Sequence, residues 1–269
     1  MSDDGGAAIP VPFPGDAYVT PEGAAAFERW WPSFFFTWYV LGIIRHDAGL
    51  ASAGMYRGPE WVEGSRRTVR LLERCGVRFY IDGMDNIDRA GGACVFVGNH
   101  MSTLETFVLP SLIQPRRPVT FVVKASLLRY PWFSAVLGSR DPVVVRRLNP
   151  REDFNAVMEG GSERLAAGRS VIVFPQSTRT PAFDPAAFNS MGIKLARRAG
   201  VPVIPVALRS DAWTGGRFIK DYGGLDISKR VCIRFGEPMR VAGAGRAEHA
   251  AVCGFIGRNL AEWGIPAIP

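Results

Sequence analysis

The sequence predicts an α/β protein with a mixed, largely parallel sheet that is covered by helices. Three observations predict this fold: short apolar runs recur along the chain, helical patterns lie between them, and Gly or Pro separates the two. Apolar runs without alternation are typical of strands that are buried on both faces. The 269 residues, 47% of them hydrophobic, suffice for one large domain and exclude a mainly disordered chain.

Seven stretches have strand character. The first alternates apolar and polar residues, as a half-exposed strand does, and the others are nearly continuous in Val, Ile and Phe. In chain order the stretches are 77–82, 93–98, 119–124, 141–147, 170–174, 201–208 and 231–235.

Helical patterns fill the later intervals between these strands. Asn149 followed by Pro150 predicts a helix start, and Gly168 predicts its end. A second helix is expected from residue 188 to 199, closed by Gly200. A last helix places four apolar side chains on one face, namely Val252, Ile256, Leu260 and Trp263.

The chain divides into three predicted regions. Residues 1–28 are rich in Gly, Ala and Pro and are expected to form a poorly ordered arm. Residues 29–76 are expected to form an N-terminal helical region, and residues 77–269 the α/β domain. The uncharged run 30–44 would form a helix about 22 Å long, against a hydrocarbon core of about 30 Å. Its Trp, Phe and Tyr residues and flanking arginines favour an anchor at a membrane interface, with a buried core helix as the alternative.

Charge and cysteine usage narrow the classes of partner. The net charge of +7 suits an anionic membrane surface, a phosphate-bearing ligand or nucleic acid, but no basic run with interleaved aromatic residues favours nucleic acid. The four cysteines form neither a C-x-x-C pair nor a zinc spacing. Cys94 and Cys232 lie in apolar runs and are expected to be buried thiols in a reducing cytosol. The acidic N-terminus lacks the basic start of a secretory signal.

His100 and Glu105 are the first candidates for chemistry. His100 follows a predicted strand, where ligand-binding groups collect in α/β sheets. On one regular helix the two side chains would point to nearly opposite sides, so they meet only if His100 stays in the loop. The segment Ser102–Glu105 reads as a capping box, in which Glu105 bonds the Ser102 amide instead. If Glu105 reaches His100, it fixes the tautomer, and His100 can take a proton from an alcohol.

Cations follow three other predicted strands. Lys124 ends one strand, Arg146 and Arg147 end the next, and the segment 176–179 (Gln176, Ser177, Thr178, Arg179) follows a third. Hydroxyls, loop amides and guanidinium groups in such positions can surround a phosphate.

Four blocks in order make the chain resemble the 1-acyl-glycerol-3-phosphate acyltransferase family over 77–235. "NHMSTLE" resembles its N-H-x-x-x-x-D block, and "VVVRR" resembles its second block, whose arginine matches Arg147. "VFPQSTRT" resembles F-P-E-G-T-R-S, so that Arg179 matches the phosphate-binding arginine. "VPVIPVAL" resembles the proline-containing fourth block, and Lys124 matches a lysine often found between the first two.

The chain departs from the family pattern at several positions. Glu105 stands for the usual aspartate, Gln176 for glutamate and Ser177 for glycine. Asn189 and Met191 stand where many members have lysine and glycine. The neutral amide of Gln176 removes a negative charge near the phosphate site. We expect this change to affect which head group of the acceptor is preferred.

The resemblance implies acyl transfer from acyl-CoA or acyl-carrier protein to a lysophospholipid hydroxyl, most simply that of 1-acyl-glycerol-3-phosphate. His100 would be the base, with Glu105 beside it. Lys124, Arg147, Gln176, Ser177, Thr178 and Arg179 would bind the substrate. Neither a metal nor a redox cofactor is implied. The expected location is the cytoplasmic face of a membrane, peripheral or monotopic, and the oligomeric state is left open.

The sequence disfavours two other functions and leaves two open. A serine hydrolase would use Ser177 as nucleophile, but no G-x-S-x-G elbow surrounds it. A dinucleotide-binding enzyme is disfavoured because the Gly-Gly pair precedes a strand instead of opening a helix after it. A non-catalytic lipid-binding protein on the same fold stays open, as does an acyltransferase for a different lyso-lipid acceptor.

Overall fold

One sheet of eight strands organises the molecule in the computed structural model, which describes residues 9–130, 132–176, 178–216 and 223–265. The strands are β1 (Tyr18–Val19), β2 (Phe79–Asp82), β3 (Val95–Gly98), β4 (Val119–Lys124), β5 (Val143–Val145), β6 (Ser170–Val173), β7 (Val203–Arg209) and β8 (Val231–Phe235). The helices are α1 (Pro32–Ser52), α2 (Gly58–Arg74), α3 (Asp85–Arg89), α4 (Leu104–Ile113), α5 (Phe133–Ser139), α6 (Pro150–Ala166), α7 (Met191–Ala199) and α8 (Arg246–Glu262).

The sheet is mixed and largely parallel, which confirms the predicted fold class. Its strand order is β1-β2-β8-β7-β3-β6-β4-β5. The five strands from β7 to β5 run parallel to one another. Strand β8 is antiparallel to β7, β2 is parallel to β8, and β1 is antiparallel to β2. The parallel part therefore presents several strand ends along one edge.

Apolar cores lie on both faces of this sheet. In β3, Phe96 belongs to one core, together with Leu72 and Leu104. The neighbouring Val95 and Val97 belong to the other core, into which the last helix sends Val252, Ile256 and Leu260. Because both faces are covered, the central strands need apolar residues at every position, and this explains their unbroken apolar runs.

The helix and strand boundaries agree with the sequence patterns where local signals are strong. The Asn149 side chain accepts a hydrogen bond from the Arg151 amide at the start of α6. Gly200 ends α7 in the left-handed conformation, with φ of 68°. Helix α7 begins three residues later than predicted, because the Asn189 side chain caps the Met191 amide.

Cys94 and Cys232 are buried free thiols, and burial raises the pKa of Cys94 to about 11.

The described part of the N-terminal arm differs from the sequence prediction. Residues 1–8 lie outside the described residues, but within 9–28 strand β1 pairs with β2. The buried Thr20 hydroxyl donates to Glu73 and accepts from the Phe79 amide. A two-residue strand has no alternation pattern of its own, so its place in the sheet depends on these long-range contacts.

Helix α1 buries one face and exposes an aromatic one. Phe36, Val40 and Ile44 are buried. On the opposite face Phe34 and Trp38 are exposed by 59% and 70%, and Trp31, just before the helix, is exposed by 71%. Within the described part of the chain, no helix combines the length and the apolar composition that crossing a membrane requires.

A buried polar contact fixes α1 against α2. The Tyr56 hydroxyl donates to Asp47 Oδ2 at 3.0 Å, and Arg67 lies 3.6 Å from Oδ1. Burial raises the pKa of Asp47, although the Tyr56 hydrogen bond and the Arg67 charge act in the opposite direction. Gly64 makes room for this carboxylate, because a Cβ at that position would lie 2.2 Å from Oδ2.

Candidate active site

The predicted site residues follow the carboxyl ends of four adjacent parallel strands. In spatial order these strands are β3, β6, β4 and β5, and their ends meet at one edge of the sheet. His100 follows β3, the segment 176–179 follows β6, Lys124 ends β4, and Arg147 follows β5. With about 4.8 Å between strands, the backbones at Lys124 and Arg147 lie about 10 and 14 Å along the edge from the end of β3.

Asn99 fixes the loop that carries His100. Its side-chain amide donates to the Leu208 carbonyl at 2.7 Å, and its oxygen accepts from the Leu208 amide at 2.9 Å. Both bonds are buried and mimic a strand pairing between this loop and β7. The chain therefore leaves β3 in a fixed direction at His100.

Glu105 is a fully buried carboxylate with several donors around it. Oε1 accepts from the Met101 amide at 2.7 Å, the Ser102 amide at 3.1 Å and the Ser210 hydroxyl at 2.7 Å. Oε2 lies 3.2 Å from the Ser102 amide and 3.2 Å from His100 Nδ1. These donors compensate the loss of hydration that burial of a carboxylate entails.

Glu105 caps the start of α4 and also lies beside His100, whereas the sequence presented these two roles as alternatives. Helix α4 starts at Leu104 with Thr103 as N-cap, one residue later than predicted. The Ser102 hydroxyl accepts from the Leu104 amide, and Glu105 accepts from the Ser102 amide as a capping glutamate does. His100 stays in the loop, so the second carboxylate oxygen is beside its ring.

The His100 ring has one sealed nitrogen and one accessible nitrogen. Nδ1 is shielded from solvent beside Glu105, although the ring N–H is not aligned with Oε2 as in a hydrogen bond. The imidazole stacks on Phe174 with the ring centroids 4.5 Å apart and an interplanar angle of 7°. Since the side chain is 16% exposed and Nδ1 is sealed, its accessible part is on the Nε2 side.

The segment after β6 contacts the backbone of His100. Gln176 is buried, and its Oε1 accepts from the His100 amide at 2.6 Å. Its Nε2 donates to Thr180 Oγ1 at 3.0 Å, and the Thr180 amide donates to the His100 carbonyl at 3.0 Å. Thr178 is exposed, and Ser177 lies outside the described residues. The amide of Gln176 therefore bonds protein groups at both of its ends.

The arginines differ in their surroundings. Arg179 is half-buried and donates from Nη1 to Thr103 Oγ1, at the start of α4. Arg146 and Arg147 have exposed side chains that form no ion pair with a carboxylate of the described residues. Their amides donate to Asp153 Oδ1 and Oδ2, each at 2.8 Å. The Asp153 carboxylate holds this turn, in which Arg147 has φ of 58°.

Two residues that the sequence analysis did not single out complete the site. Ser210 is fully buried just after β7 and donates to Glu105, while its carbonyl accepts from the Ser102 hydroxyl at 2.8 Å. Asn99 holds the loop that carries His100. Its position directly before the histidine in the first motif is the sequence signal by which it could have been identified. No local pattern around Ser210 connects it with Glu105, which is 105 positions away.

Comparison with known proteins shows which family this chain is similar to. A family model described as Acyltransferase matches residues 78–209. The chain is 30% identical over 170 residues to the 1-acyl-sn-glycerol-3-phosphate acyltransferase of Pseudomonas aeruginosa, covering 63% of this chain and 62% of that protein. It is 26% identical over 117 residues to the enzyme of the same name from Escherichia coli, covering 44% of this chain and 47% of that protein.

The fold also matches a solved structure. The crystal structure of the 1-acyl-sn-glycerophosphate acyltransferase PlsC from Thermotoga maritima superposes with a TM-score of 0.63 at 19% identity, covering 90% of this chain and 100% of that chain. The chain spans about half to three fifths of the length of the two sequence relatives. The four motifs all lie within residues 78–209, and this part of the chain belongs to the acyltransferase family and is similar to the 1-acyl-sn-glycerol-3-phosphate acyltransferases.

Proposed function

We propose that this protein transfers a fatty acyl group from a thioester donor to the free hydroxyl of 1-acyl-glycerol-3-phosphate, giving phosphatidate. One observation carries the proposal: Nδ1 of His100 lies 3.2 Å from the buried Glu105 carboxylate, which leaves the Nε2 side of the ring accessible, and exposed cations follow neighbouring strands of the same sheet edge. An imidazole in this arrangement is suited to act as a general base.

The proposed reaction needs one proton relay and no acyl-enzyme. His100 Nε2 takes the proton of the acceptor hydroxyl as its oxygen attacks the thioester carbonyl carbon. Glu105 stabilises the imidazolium that forms. When the tetrahedral intermediate collapses, the C–S bond breaks, and the imidazolium returns the proton to the leaving thiolate. An ester and a free thiol result, so that all atoms and charges balance.

Cations along the sheet edge would hold the acceptor phosphate. Arg179 is the nearest candidate, because its guanidinium contacts Thr103 in the turn that also carries His100. Thr178 is exposed beside it, and Lys124 and Arg147 are exposed farther along the edge. Fixing the phosphate there places the hydroxyl near Nε2 and converts a bimolecular encounter into an oriented one.

The donor is proposed to be acyl-CoA or acyl-carrier protein. Either thioester brings its own leaving group, and every proton is handled by His100, so no resident cofactor takes part in the proposed steps. Gln176 enters this proposal through the backbone of His100, since both ends of its amide are bonded to protein groups.

The exposed face of α1 is proposed to rest on the membrane that contains the lipid acceptor. Tryptophan and other aromatic side chains favour the interface between headgroups and acyl chains. In this proposal 29–76 is the membrane-associating region, 77–269 is the catalytic domain, and the protein is peripheral or monotopic on the cytoplasmic face.

A thioester-consumption assay with a panel of lyso-lipid acceptors tests the proposed reaction. We expect thiol release with 1-acyl-glycerol-3-phosphate to exceed that with acceptors that lack a phosphate monoester. Turnover with another lyso-lipid alone would reassign the acceptor. Lipid binding without any turnover would instead support the non-catalytic alternative.

The first prediction concerns the base. His100→Ala should lower kcat by about a hundredfold or more, since general base catalysis contributes 10²–10⁴-fold in enzymes. His46→Ala, an exposed histidine on α1, is the matched control and should leave turnover unchanged. Unaltered circular dichroism would show that both variants are folded. Turnover of His100→Ala close to that of wild type would remove His100 from the mechanism.

The second prediction concerns Glu105→Gln. The glutamine oxygen can still accept from the Met101 and Ser102 amides, so α4 should remain capped. Its amide N–H would face Nδ1, which must then be the unprotonated nitrogen, leaving the proton on Nε2. Because Nε2 then cannot accept a proton, we expect at least a hundredfold loss of kcat. Ring ¹⁵N chemical shifts would report the tautomer, and full activity of this variant would favour a capping role alone.

The third prediction concerns the phosphate. Arg179→Ala should raise the KM for 1-acyl-glycerol-3-phosphate by about ten- to a hundredfold, since charge-assisted hydrogen bonds contribute roughly 1.5–3 kcal/mol. The KM for the thioester should change little. Arg198→Ala, an exposed arginine in the last turn of α7, is the control. An unchanged acceptor KM would place the phosphate elsewhere.

The fourth prediction concerns the membrane. Replacing both Trp31 and Trp38 by Ser should weaken binding to vesicles containing phosphatidylglycerol at least tenfold. The folded structure should be retained, because both side chains are exposed by about 70%. Val19→Ser, on the exposed edge strand β1, is the control. Equal vesicle sedimentation of the double variant and wild type would contradict the proposed orientation.

A further inference from the structure

We propose that Gln176 is a positioning residue: its amide clamps the backbone of His100, and its neutrality keeps a second carboxylate away from the imidazole. The inference rests on the proposed function, because it concerns the residue that serves as the base there. In this inference Gln176 holds the base in position and does not contact the substrate.

The segment after β6 contacts His100 at three places. Phe174 stacks on its ring at 4.5 Å, Gln176 accepts from its amide at 2.6 Å, and the Thr180 amide donates to its carbonyl at 3.0 Å. Both backbone polar groups of His100 are thereby bonded to one short segment. A displacement of that segment moves the imidazole relative to Glu105, which belongs to a different element.

The direction of the hydrogen bonds specifies an amide at position 176. The His100 amide is a donor, so it needs an acceptor, which Oε1 provides. Thr180 Oγ1 gives its only proton to the Ala182 carbonyl, so it can only accept from position 176, and Nε2 donates to it. A side chain that accepts at one end and donates at the other satisfies both partners, and an ionised carboxylate does not.

The neutral charge of Gln176 has its own consequence. A carboxylate at this buried position would accept from the backbone amide of His100, as Gln176 does. It would therefore lie roughly 5–7 Å from the imidazole of that residue. Glu105 already supplies one negative charge to the ring. A second one would stabilise the imidazolium further and lower the fraction of neutral base at a given pH. It would also repel a phosphate held by Arg179.

Gln176→Glu tests this inference by a measurement that needs no turnover. The chain has three histidines, so NMR titration of the ring signals resolves each of them. We expect the titration midpoint of the His100 signal to rise by about one pH unit, as a carboxylate at this distance produces. The signals of His46 and His249 should keep their midpoints and serve as internal controls.

Gln114→Glu is the matched variant. Gln114 is also a buried glutamine whose Oε1 accepts from a backbone amide, that of Val119 at 2.9 Å. It lies just beyond the far end of α4, about 15 Å from the start of that helix. The same charge at this position should leave the His100 midpoint unchanged. A midpoint that fails to rise in Gln176→Glu, or that rises equally in Gln114→Glu, overturns the inference.

Kinetics provide a second readout. In Gln176→Glu, the acid limb of the pH profile of kcat/KM should move up with the His100 midpoint, and the acceptor KM should rise several-fold. Gln176→Met keeps the size and neutrality but removes both hydrogen bonds, so it should lower kcat about tenfold without moving the acid limb. If Gln176→Glu does not fold, an unchanged kcat in Gln176→Met overturns the clamp.

The two proposals fail in different ways. A wild-type protein without acyl transfer to any acceptor would defeat the proposed function, while the NMR titration would still decide whether Gln176 controls the charge state of His100. Active wild type with an unmoved His100 midpoint in Gln176→Glu would defeat only this inference.

Discussion

The buried carboxylate of Glu105 is the interaction on which the rest of the site depends. A carboxylate with no exposed surface is tolerated only when donors replace its hydration, and here they come from two parts of the chain, the loop after β3 and Ser210 after β7. The loop amides of Met101 and Ser102 and the Ser210 hydroxyl donate to it, and His100 Nδ1 lies 3.2 Å from its other oxygen. One charge thus fixes the start of α4, the end of β7 and the orientation of the imidazole together.

The parallel sheet makes this convergence possible. Parallel neighbours bring their carboxyl ends to one edge, so loops distant in sequence meet there without a special connection. Asn99 then ties the loop after β3 to β7 through two hydrogen bonds with Leu208. The histidine is therefore held between a rigid loop on one side and the segment after β6 on the other. Its Nε2 side is the accessible one, and the exposed cations follow the neighbouring strands.

Local signals account for what the sequence predicted well. Unbroken apolar runs identified the central strands, since both sheet faces are covered, and the five-residue spacing of His100 and Glu105 allowed their geometry to be argued from helix periodicity. Ser210 could not be found in this way, because its contact with Glu105 joins residues 105 positions apart. Strand β1 was missed for a related reason, as two residues have no periodicity and its pairing with β2 depends on tertiary contacts.

The contrast between Glu105 and Gln176 follows from what each must bond. Glu105 faces only donors, so a charged acceptor is well solvated there by the protein. Gln176 faces one donor and one acceptor, so an amide fits both and a carboxylate would leave two acceptors opposed. The imidazole consequently has one negative neighbour that favours its protonated form during proton transfer. Position 176 adds no second carboxylate beside the ring, because the amide that fits both of its partners there is neutral.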